Sequence, residues 1–245
     1  MRLGAGALLV MSGLLAAASG ARAAPLVIMV EDASEPFSRA NGTGYANDLV
    51  RAAYKAAGVE VRFDIVPYAR CKKSLELAET PACFSMSWAP EFEGRIIFSD
   101  KPLFAVQADL FTRPGAKLGY GSVVGIVNGY EYPDAIAALA RRGVSFIRNI
   151  DEAANLRMLA RGRLDAAVVM TSEFESMPRR LAAAGVTDKV AFAWHAGSNA
   201  SHIGFNSAHP RGEEARAAFN RGYAIILSNH ERDRIRDRWL KAARR

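Results

Sequence analysis

Strand patterns and helix patterns alternate along this chain, and the alternation limits the fold to a few architectures. Residues 25–30 are a continuous apolar run, which is typical of a parallel strand buried on both faces. Residues 47–58 place apolar side chains at helical spacing, and in residues 59–65 apolar and polar side chains alternate as in a strand. The alternation resumes after the break Arg113-Pro114-Gly115. This pattern predicts an α/β fold built from βαβ units.

The other predicted elements continue this order. Further strands are predicted at 82–87, 106–112, 123–127, 144–147, 164–170, 190–194 and 203–206, and further helices at 69–79, 132–142, 151–161, 172–184, 212–228 and 231–242. The passage 197–202, rich in Gly, Ser, Asn and His, is predicted to be a loop. Roughly 220 residues could form one large α/β domain or two of about 100 residues each, and periodicity alone does not choose between them.

The first 23 residues have the features of a cleaved signal peptide. Arg2 precedes an apolar run over residues 8–18, and Ala21-Arg22-Ala23 provides a small-x-small cleavage pattern. The run is shorter than the roughly 20 apolar residues that a transmembrane helix needs. No cysteine lies near the cleavage site to carry a lipid. We therefore expect a free protein in the periplasm of a Gram-negative cell.

The chain is mildly basic. Its formal net charge is +7, and +5 remains after loss of Arg2 and Arg22 with the signal peptide. Much of the excess lies in residues 231–245, where acidic side chains are interspersed among the basic ones. A nucleic-acid groove is one interpretation of such a run, and a solvated helical face is the other. Export favours the solvated face, so we expect no nucleic-acid partner.

Cys71 and Cys83 are the two cysteines of the chain. An oxidising compartment allows them to form a disulfide, and two buried free thiols are the alternative. His195, His202 and His209 recur every seven residues, but a strand-loop-strand passage gives them no common face. We therefore expect neither a metal site nor a cofactor.

Several short motifs stand in a fixed order along the chain. They are Glu35-Pro36-Phe37, Gly44-Tyr45-x-x-Asp48-Leu49, Pro67-Tyr68-x-Arg70, Pro90-Glu91-x-Glu93, Phe98-Ser99-Asp100-x-Pro102, Val124-Gly125-Ile126-Val127-Asn128-Gly129-Tyr130, Gly162-Arg163-Leu164-Asp165-Ala166 and Phe219-Asn220-x-Gly222. Each motif is weak alone, but the ordered set resembles the extracellular solute-binding proteins of family 3, which serve ABC importers of polar amino acids. The resemblance covers nearly the whole mature chain.

This resemblance implies a two-lobed α/β fold of the type II periplasmic-binding-protein kind, with two crossing strands as a hinge. It implies a signal peptide at 1–23, a first lobe from residues 24–112 and 200–245, and a second lobe from residues 113–199. A small polar or anionic ligand is expected in the cleft, captured by hinge closure and delivered to an ABC permease in the inner membrane. The family suggests a monomer that is not an enzyme.

Two charged residues that grip an α-amino acid in this family are missing here. Phe92 stands where the family has the arginine that binds the carboxylate, and Met170 stands where it has the aspartate that binds the ammonium group. Arg95 and Glu173 lie close enough in the sequence to replace them. Because a bidentate charged pair contributes strongly to discrimination, a standard α-amino acid is not the expected ligand.

The candidate ligand contacts are the residues at the family's cleft positions. Arg70 is the expected partner of an anionic group, with a surface salt bridge as the alternative, and Phe37 and Phe92 could instead be core aromatics. Backbone N–H groups of a helix expected soon after Gly129 could also hold an anion. The complete set is Ser34, Phe37, Tyr68, Arg70, Ser85, Ser87, Trp88, Phe92, Asn128, Gly129, Tyr130, Met170 and Glu173.

Two other functions are compatible with the sequence. One is a binding module that works without a transporter and serves a membrane sensor or a periplasmic oxidase. The other is a dehydratase of small acids, as in a few relatives of this fold, for which Glu31 and Glu173 are the candidate acids in the cleft. The sequence contains neither a nucleophile-histidine-acid set nor a phosphate loop.

Overall fold

The computed structural model describes residues 24–243, so the predicted signal peptide lies outside the described residues. The strands are β1 (Leu26–Glu31), β2 (Ala33–Ser34), β3 (Ser38–Arg39), β4 (Val61–Val66), β5 (Ala82–Met86), β6 (Ile97–Phe98), β7 (Phe104–Thr112), β8 (Val123–Val127), β9 (Ser145–Asn149), β10 (Ala166–Thr171) and β11 (Ala191–Phe205). The helices are α1 (Tyr45–Ala56), α2 (Tyr68–Glu76), α3 (Asp134–Ala140), α4 (Glu152–Ala160), α5 (Met177–Ala183), α6 (Gly212–Ser228) and α7 (Glu231–Ala243). None of these helices is both long and apolar enough to cross a bilayer.

Two groups of parallel strands are joined by two long strands. The order across the sheet is β4-β1-β5-β11-β7-β10-β8-β9, and β6 pairs with β11. Strand β1 runs parallel to β4 and β5, and β8 runs parallel to β9 and β10. Strands β7 and β11 pair antiparallel to each other between the two groups. We call β4, β1 and β5 with their helices the first lobe, and β10, β8 and β9 with theirs the second lobe.

Strand β11 extends over 15 residues, through the passage 197–202 that the sequence predicts to be a loop. Its ladder with β7 runs from Ala191 to Ser201, with register shifts on either side of Trp194 and His195. Gly197 has a φ of +135°, a conformation that L side chains rarely adopt. Pairing along β7 therefore overrides the weak strand propensity of this segment, and a register shift of the ladder accommodates the conformation of Gly197.

The helix predicted at 172–184 begins only at Met177. Pro178 lies in its first turn, where a missing N–H is tolerated and the fixed φ favours a helix start. Before it, the Ser172 hydroxyl accepts a hydrogen bond from the Phe174 N–H at 3.3 Å and keeps the backbone in a turn. Phe174 is buried against the first lobe, with its ring centroid 4.2 Å from that of Tyr45.

Each lobe has its own apolar core. In the first lobe, α1 and α6 pack side by side on the sheet, and buried residues such as Leu49 and Phe219 fill the space between them. In the second lobe, Val168 of β10 is buried against β8 and α3. The two cores explain why the sequence periodicity repeats on both sides of β7, since each lobe buries a separate set of parallel strands.

Candidate functional site

A cavity of about 50 Å³ lies between the lobes, at the carboxyl ends of their parallel strands. In the first lobe Glu31 ends β1, Tyr68 follows β4 and Ser87 follows β5. In the second lobe Tyr130 and Glu131 follow β8. Ligands of open α/β sheets bind at this edge, because loops diverge there and leave a crevice. The cavity is lined by Glu31, Ser34, Glu35, Phe37, Tyr68, Ser85, Ser87, Phe104, Val106, Tyr130, Glu131, Glu152, Met170, Arg180 and Ser201.

Seven of the sequence-predicted contacts line this cavity: Ser34, Phe37, Tyr68, Ser85, Ser87, Tyr130 and Met170. Phe37 forms part of the floor, with its ring stacked on that of Phe104 at a centroid distance of 3.8 Å. Tyr68 stands edge-on to Tyr130 at 5.4 Å, so one aromatic ring from each lobe meets at the cavity.

Arg70 and Trp88 lie outside the cavity lining, although the sequence motifs predict Arg70 as the anion contact. Arg70 is exposed because it follows Tyr68 by two residues in α2, which turns its side chain about 200° away around the helix axis. Trp88 is 61% exposed. Lys72, four positions after Tyr68, lies on the same side of α2 as Tyr68, and its Nζ atom bonds Glu131 of the lining at 3.0 Å.

Phe92 and Glu173 are also outside the lining. Phe92 is fully buried in the core behind α2, and the Lys72 Nζ atom lies 5.0 Å from its ring centroid. Glu173 is paired at the surface with Arg236, whose Nε donates to its Oε1 atom at 2.8 Å. Hydrogen bonding to Arg236 lowers the pKa of Glu173, which makes it a surface anion and not a cavity acid.

Asn128 and Gly129 are also outside the cavity lining, in the loop after β8. Asn128 is exposed, while its backbone N–H donates to the Asn149 carbonyl at 2.9 Å. Gly129 has a φ of +89°, and a Cβ there would lie 3.2 Å from the Ala69 Cα. Glycine therefore lets the two lobes approach each other closely at this point. The expected anion-binding helix start is displaced, because α3 begins only at Asp134.

Glu131, which is absent from the sequence-predicted set, is the centre of a hydrogen-bond network between the lobes. Its carboxylate accepts from the Tyr68 hydroxyl at 2.6 Å, from Lys72 Nζ at 3.0 Å and from the Ser87 N–H at 3.3 Å. Lys72 also donates to the Gly129 carbonyl at 3.1 Å. Burial raises the pKa of Glu131, and the Lys72 ammonium partly offsets that rise.

Glu31 is the second buried acid of the cavity, and its side chain has a different environment. It is 3% exposed, and its Oε1 atom accepts from the Tyr130 hydroxyl at 2.7 Å. Within residues 24–243, no Lys, Arg or His side chain forms a salt bridge with it. Burial raises the pKa of Glu31 to about 8. At neutral pH its carboxyl is therefore mostly protonated while the cavity is empty.

Arg180 of α5 closes the opposite end of the cavity. Its guanidinium pairs with the carboxylate of Glu152, and it donates to Glu175 at 2.6 Å and to the Met170 carbonyl at 2.9 Å. Both terminal nitrogens of the Arg180 guanidinium are therefore bonded within the second lobe. No local motif indicates this arrangement, since the residues lie on α4, β10, α5 and the segment before α5.

Two serine hydroxyls at the cavity have no hydrogen-bond partner among the described residues. Ser201 of β11 is 2% exposed, and Ser85 of β5 has a φ of +70°. Backbone of this kind costs about 1–3 kcal/mol for a residue other than glycine and occurs preferentially at functional sites. Both residues line the cavity, and neither hydroxyl has a hydrogen bond that a bound group would have to displace.

A disulfide between Cys71 and Cys83 joins α2 to β5, with 5.8 Å between the Cα atoms. Helix α2 carries Tyr68 and Lys72, and β5 carries Ser85. The disulfide thus fixes two walls of the cavity relative to each other. In the described part of the chain, no group of three or more His, Cys, Asp or Glu side chains is arranged to hold a metal ion.

Comparison with solved structures confirms the two-lobed fold. A histidine kinase sensor domain with similarity to periplasmic binding proteins is 21% identical, with a TM-score of 0.74 over 89% of this chain and 97% of that one. The GluR0 ligand-binding core from Nostoc punctiforme, in complex with L-glutamate, is 19% identical, with a TM-score of 0.70 over 88% and 99%. The arginine-, lysine-, histidine-binding protein ArtJ from Geobacillus stearothermophilus is 17% identical, with a TM-score of 0.70 over 88% and 95%.

The sequence itself gives a family-level match. A search of curated proteins finds no match for this chain. The sequence profile of bacterial extracellular solute-binding proteins, family 3, matches residues 26–242, which includes both lobes and the strands between them. The protein therefore belongs to the bacterial extracellular solute-binding proteins of family 3.

Proposed function

We propose that this protein is a periplasmic binding protein that captures a small polar solute between its lobes and delivers it to an ABC importer. The observation that carries the proposal is the cavity between the lobes, with lining residues from both and two serine hydroxyls available for bonding. Such a site is complete only when the lobes are together, which is the property that couples binding to closure.

The proposed lobe boundaries are those expected from the family. Residues 24–112 and 200–245 form the first lobe, residues 113–199 form the second, and residues 1–23 direct export. The run of β7 and β11 between the two groups of strands supports this division. In this proposal the two strands bend as the hinge while each lobe moves as a unit.

Separation of the lobes would break the hydrogen bonds that join side chains across the cavity, together with the bonds from Ser87 N–H to Glu131 and from Lys72 to the Gly129 carbonyl. The side-chain bonds across the cavity include Tyr68 to Glu131, Lys72 to Glu131 and Tyr130 to Glu31. A ligand that bonds groups of both lobes stabilises the closed arrangement by its differential affinity for it. Met170 at the cavity and Phe92 in the core leave no charged group at the two family clamp positions, which supports a solute other than a standard α-amino acid.

The test combines a ligand screen with X-ray scattering. Thermal shift of the mature protein against amino acids, amines, short carboxylates and sugars identifies a ligand, since saturation at 100 times its Kd stabilises by about 2.7 kcal/mol. We expect the radius of gyration to fall when that ligand is added. An unchanged scattering profile with a proven ligand would refute closure. Failure of a deletion strain to take up the same ligand would support import.

A second candidate function is supported by one comparison. The histidine kinase sensor domain has a TM-score of 0.74 against this chain, compared with 0.70 for the GluR0 core and for ArtJ. In that case the loaded protein would present itself to a membrane sensor and not to a permease. Normal uptake of the identified ligand in the deletion strain, together with loss of a transcriptional response to it, would favour this candidate.

A further inference from the structure

We infer, on the basis of the proposed function, that the cavity takes a small organic cation without a carboxylate, with the Glu31 carboxylate as counter-ion and the Ser85 and Ser201 hydroxyls as acceptors. A primary ammonium ion fits this description best. The sequence predicts a small polar or anionic ligand, and the inference departs from the anionic choice because the arginine expected to bind an anion lies at the surface.

The charges around the cavity favour a cation. The cationic groups that bond acids of the lining are already paired, Lys72 with Glu131 at 3.0 Å and Arg180 with Glu152. Glu31 is the buried acid left without a cationic partner among the described residues. An anionic ligand would meet carboxylates whose cations are engaged, whereas a cationic ligand would meet a carboxyl group that has no ion pair.

The hydrogen-bond acceptors match an ammonium group in number. A primary ammonium ion has three N–H donors and no acceptor. The cavity offers a Glu31 oxygen and two unpartnered hydroxyls, one of them on Ser201, which is 2% exposed. Neither hydroxyl has a partner among the described residues, and a buried polar group without a partner is costly. The three N–H donors of an ammonium group are thus matched in number by three acceptors of the lining.

The size of the cavity limits the ligand. A volume of about 50 Å³ holds a few water-sized groups, so a ligand of roughly four or five non-hydrogen atoms fits while the lobes stay in contact. The floor is apolar, since Phe37, Phe104 and Val106 all contribute to the lining. A short alkyl chain on the ammonium group would lie against this floor.

Binding of a cation should release a proton from Glu31. The groups that face Glu31 are Tyr130 and Glu131 of the second lobe, and Ser34 and Asp32 of the first. None of them is a cation, so burial keeps the pKa of Glu31 near 8 in the empty cavity. A bound ammonium ion favours the ionised carboxyl, so affinity should fall about tenfold for each pH unit below that pKa.

The test uses three solutes of similar size and different charge: ethanolamine, ethylene glycol and glycolate. Isothermal titration at pH 8 is expected to give the highest affinity for ethanolamine, weaker affinity for ethylene glycol and none for glycolate. At pH 7, the measured enthalpy of ethanolamine binding should vary with the ionisation enthalpy of the buffer. The reason is that the buffer takes up the proton, at most one per bound ligand, that Glu31 releases. A preference for glycolate, no binding of ethanolamine, or a buffer-independent enthalpy would overturn the inference.

Two variants separate the role of Glu31 from general effects. Glu31→Gln keeps the shape of the side chain and should weaken ethanolamine binding at pH 8 at least tenfold. Glu93→Gln makes the same chemical change at an exposed position and should bind as the parent does. Equal ethanolamine affinity in both variants would contradict the assignment. The comparison of buffers needs no variant, so it tests proton release by Glu31 even if Glu31→Gln does not fold.

Failure of this inference is distinguishable from failure of the proposed function. If another solute from the wider screen binds and reduces the radius of gyration, the cavity still captures a ligand and only the cationic class is wrong. If ethanolamine binds with proton release and the radius of gyration stays constant, the ligand class holds and closure is wrong.

Discussion

Replacing Glu31 with glutamine should flatten the pH dependence of the stability of the empty protein. Glu31 is buried at the end of β1, and its pKa rises from 4.5 in the unfolded chain to about 8 in the folded one. Between these values the folded protein retains a proton that the unfolded chain has lost. Stability therefore falls as the pH rises, which is the direction expected for an acid whose pKa is raised by folding.

The size of the effect follows from the two pKa values. Each pH unit between them costs about 1.4 kcal/mol, so the parent should lose about 2.5 kcal/mol through Glu31 between pH 5.5 and 7.5. Glutamine does not titrate, and the other ionisable groups contribute nearly equally to parent and variant. The difference between the two proteins therefore isolates this one carboxyl group.

Urea unfolding followed by circular dichroism at pH 5.5, 6.5 and 7.5 measures this difference. The free energies of parent and Glu31→Gln should diverge steadily, with the variant relatively more stable at the higher pH. Glu93→Gln, at an exposed position, should follow the parent at every pH. Parallel curves for the parent and Glu31→Gln would mean that Glu31 is ionised in the folded protein, and the argument for its raised pKa would fail.

Two further substitutions test the packing between and within the lobes. Lys72→Met should destabilise the protein by about 3 kcal/mol, because it leaves the buried Glu131 carboxylate without its cation. Arg70→Met, at an exposed position of the same helix, should change stability by less than about 0.5 kcal/mol. Equal urea midpoints for the two variants would argue against the hydrogen-bond network around Glu131. Gly222→Ala should lower the free energy of unfolding by about 2–3 kcal/mol, since a Cβ there would lie 1.7 Å from the Ala53 carbonyl oxygen. An unchanged Tm would show that α1 and α6 can move apart without loss of stability.

The sequence predicts the order of strands and helices well because each lobe buries parallel strands and amphipathic helices with clear periodicity. Strand β8 and helix α6 begin and end at the predicted residues. The passage 197–201 of β11 does not follow its local sequence, because its pairing with β7 depends on residues about 90 positions away. The short strands β2, β3 and β6 are too brief to leave a periodic signal.

The cavity is less predictable than the fold, because it depends on which face of each element turns inward. Position in the family motifs places Tyr68 and Tyr130 at the cavity, but it cannot distinguish Arg70 from Lys72. Helical spacing from Tyr68 would have selected Lys72, since residues four apart share a face. The pairing of Arg180 with Glu152 has no such signal, because separate helices bring the two side chains together.

The disulfide between Cys71 and Cys83 makes the redox history of a sample matter for any binding measurement. Protein made in the reducing cytosol would lack the covalent tie between α2 and β5, so the wall with Tyr68 and Ser85 would be looser. The wall from the second lobe, with Tyr130, does not depend on this disulfide, because both cysteines lie in the first lobe. Two preparations with one sequence could then differ in affinity for the same solute, and quantifying free thiols before each titration would reveal the cause.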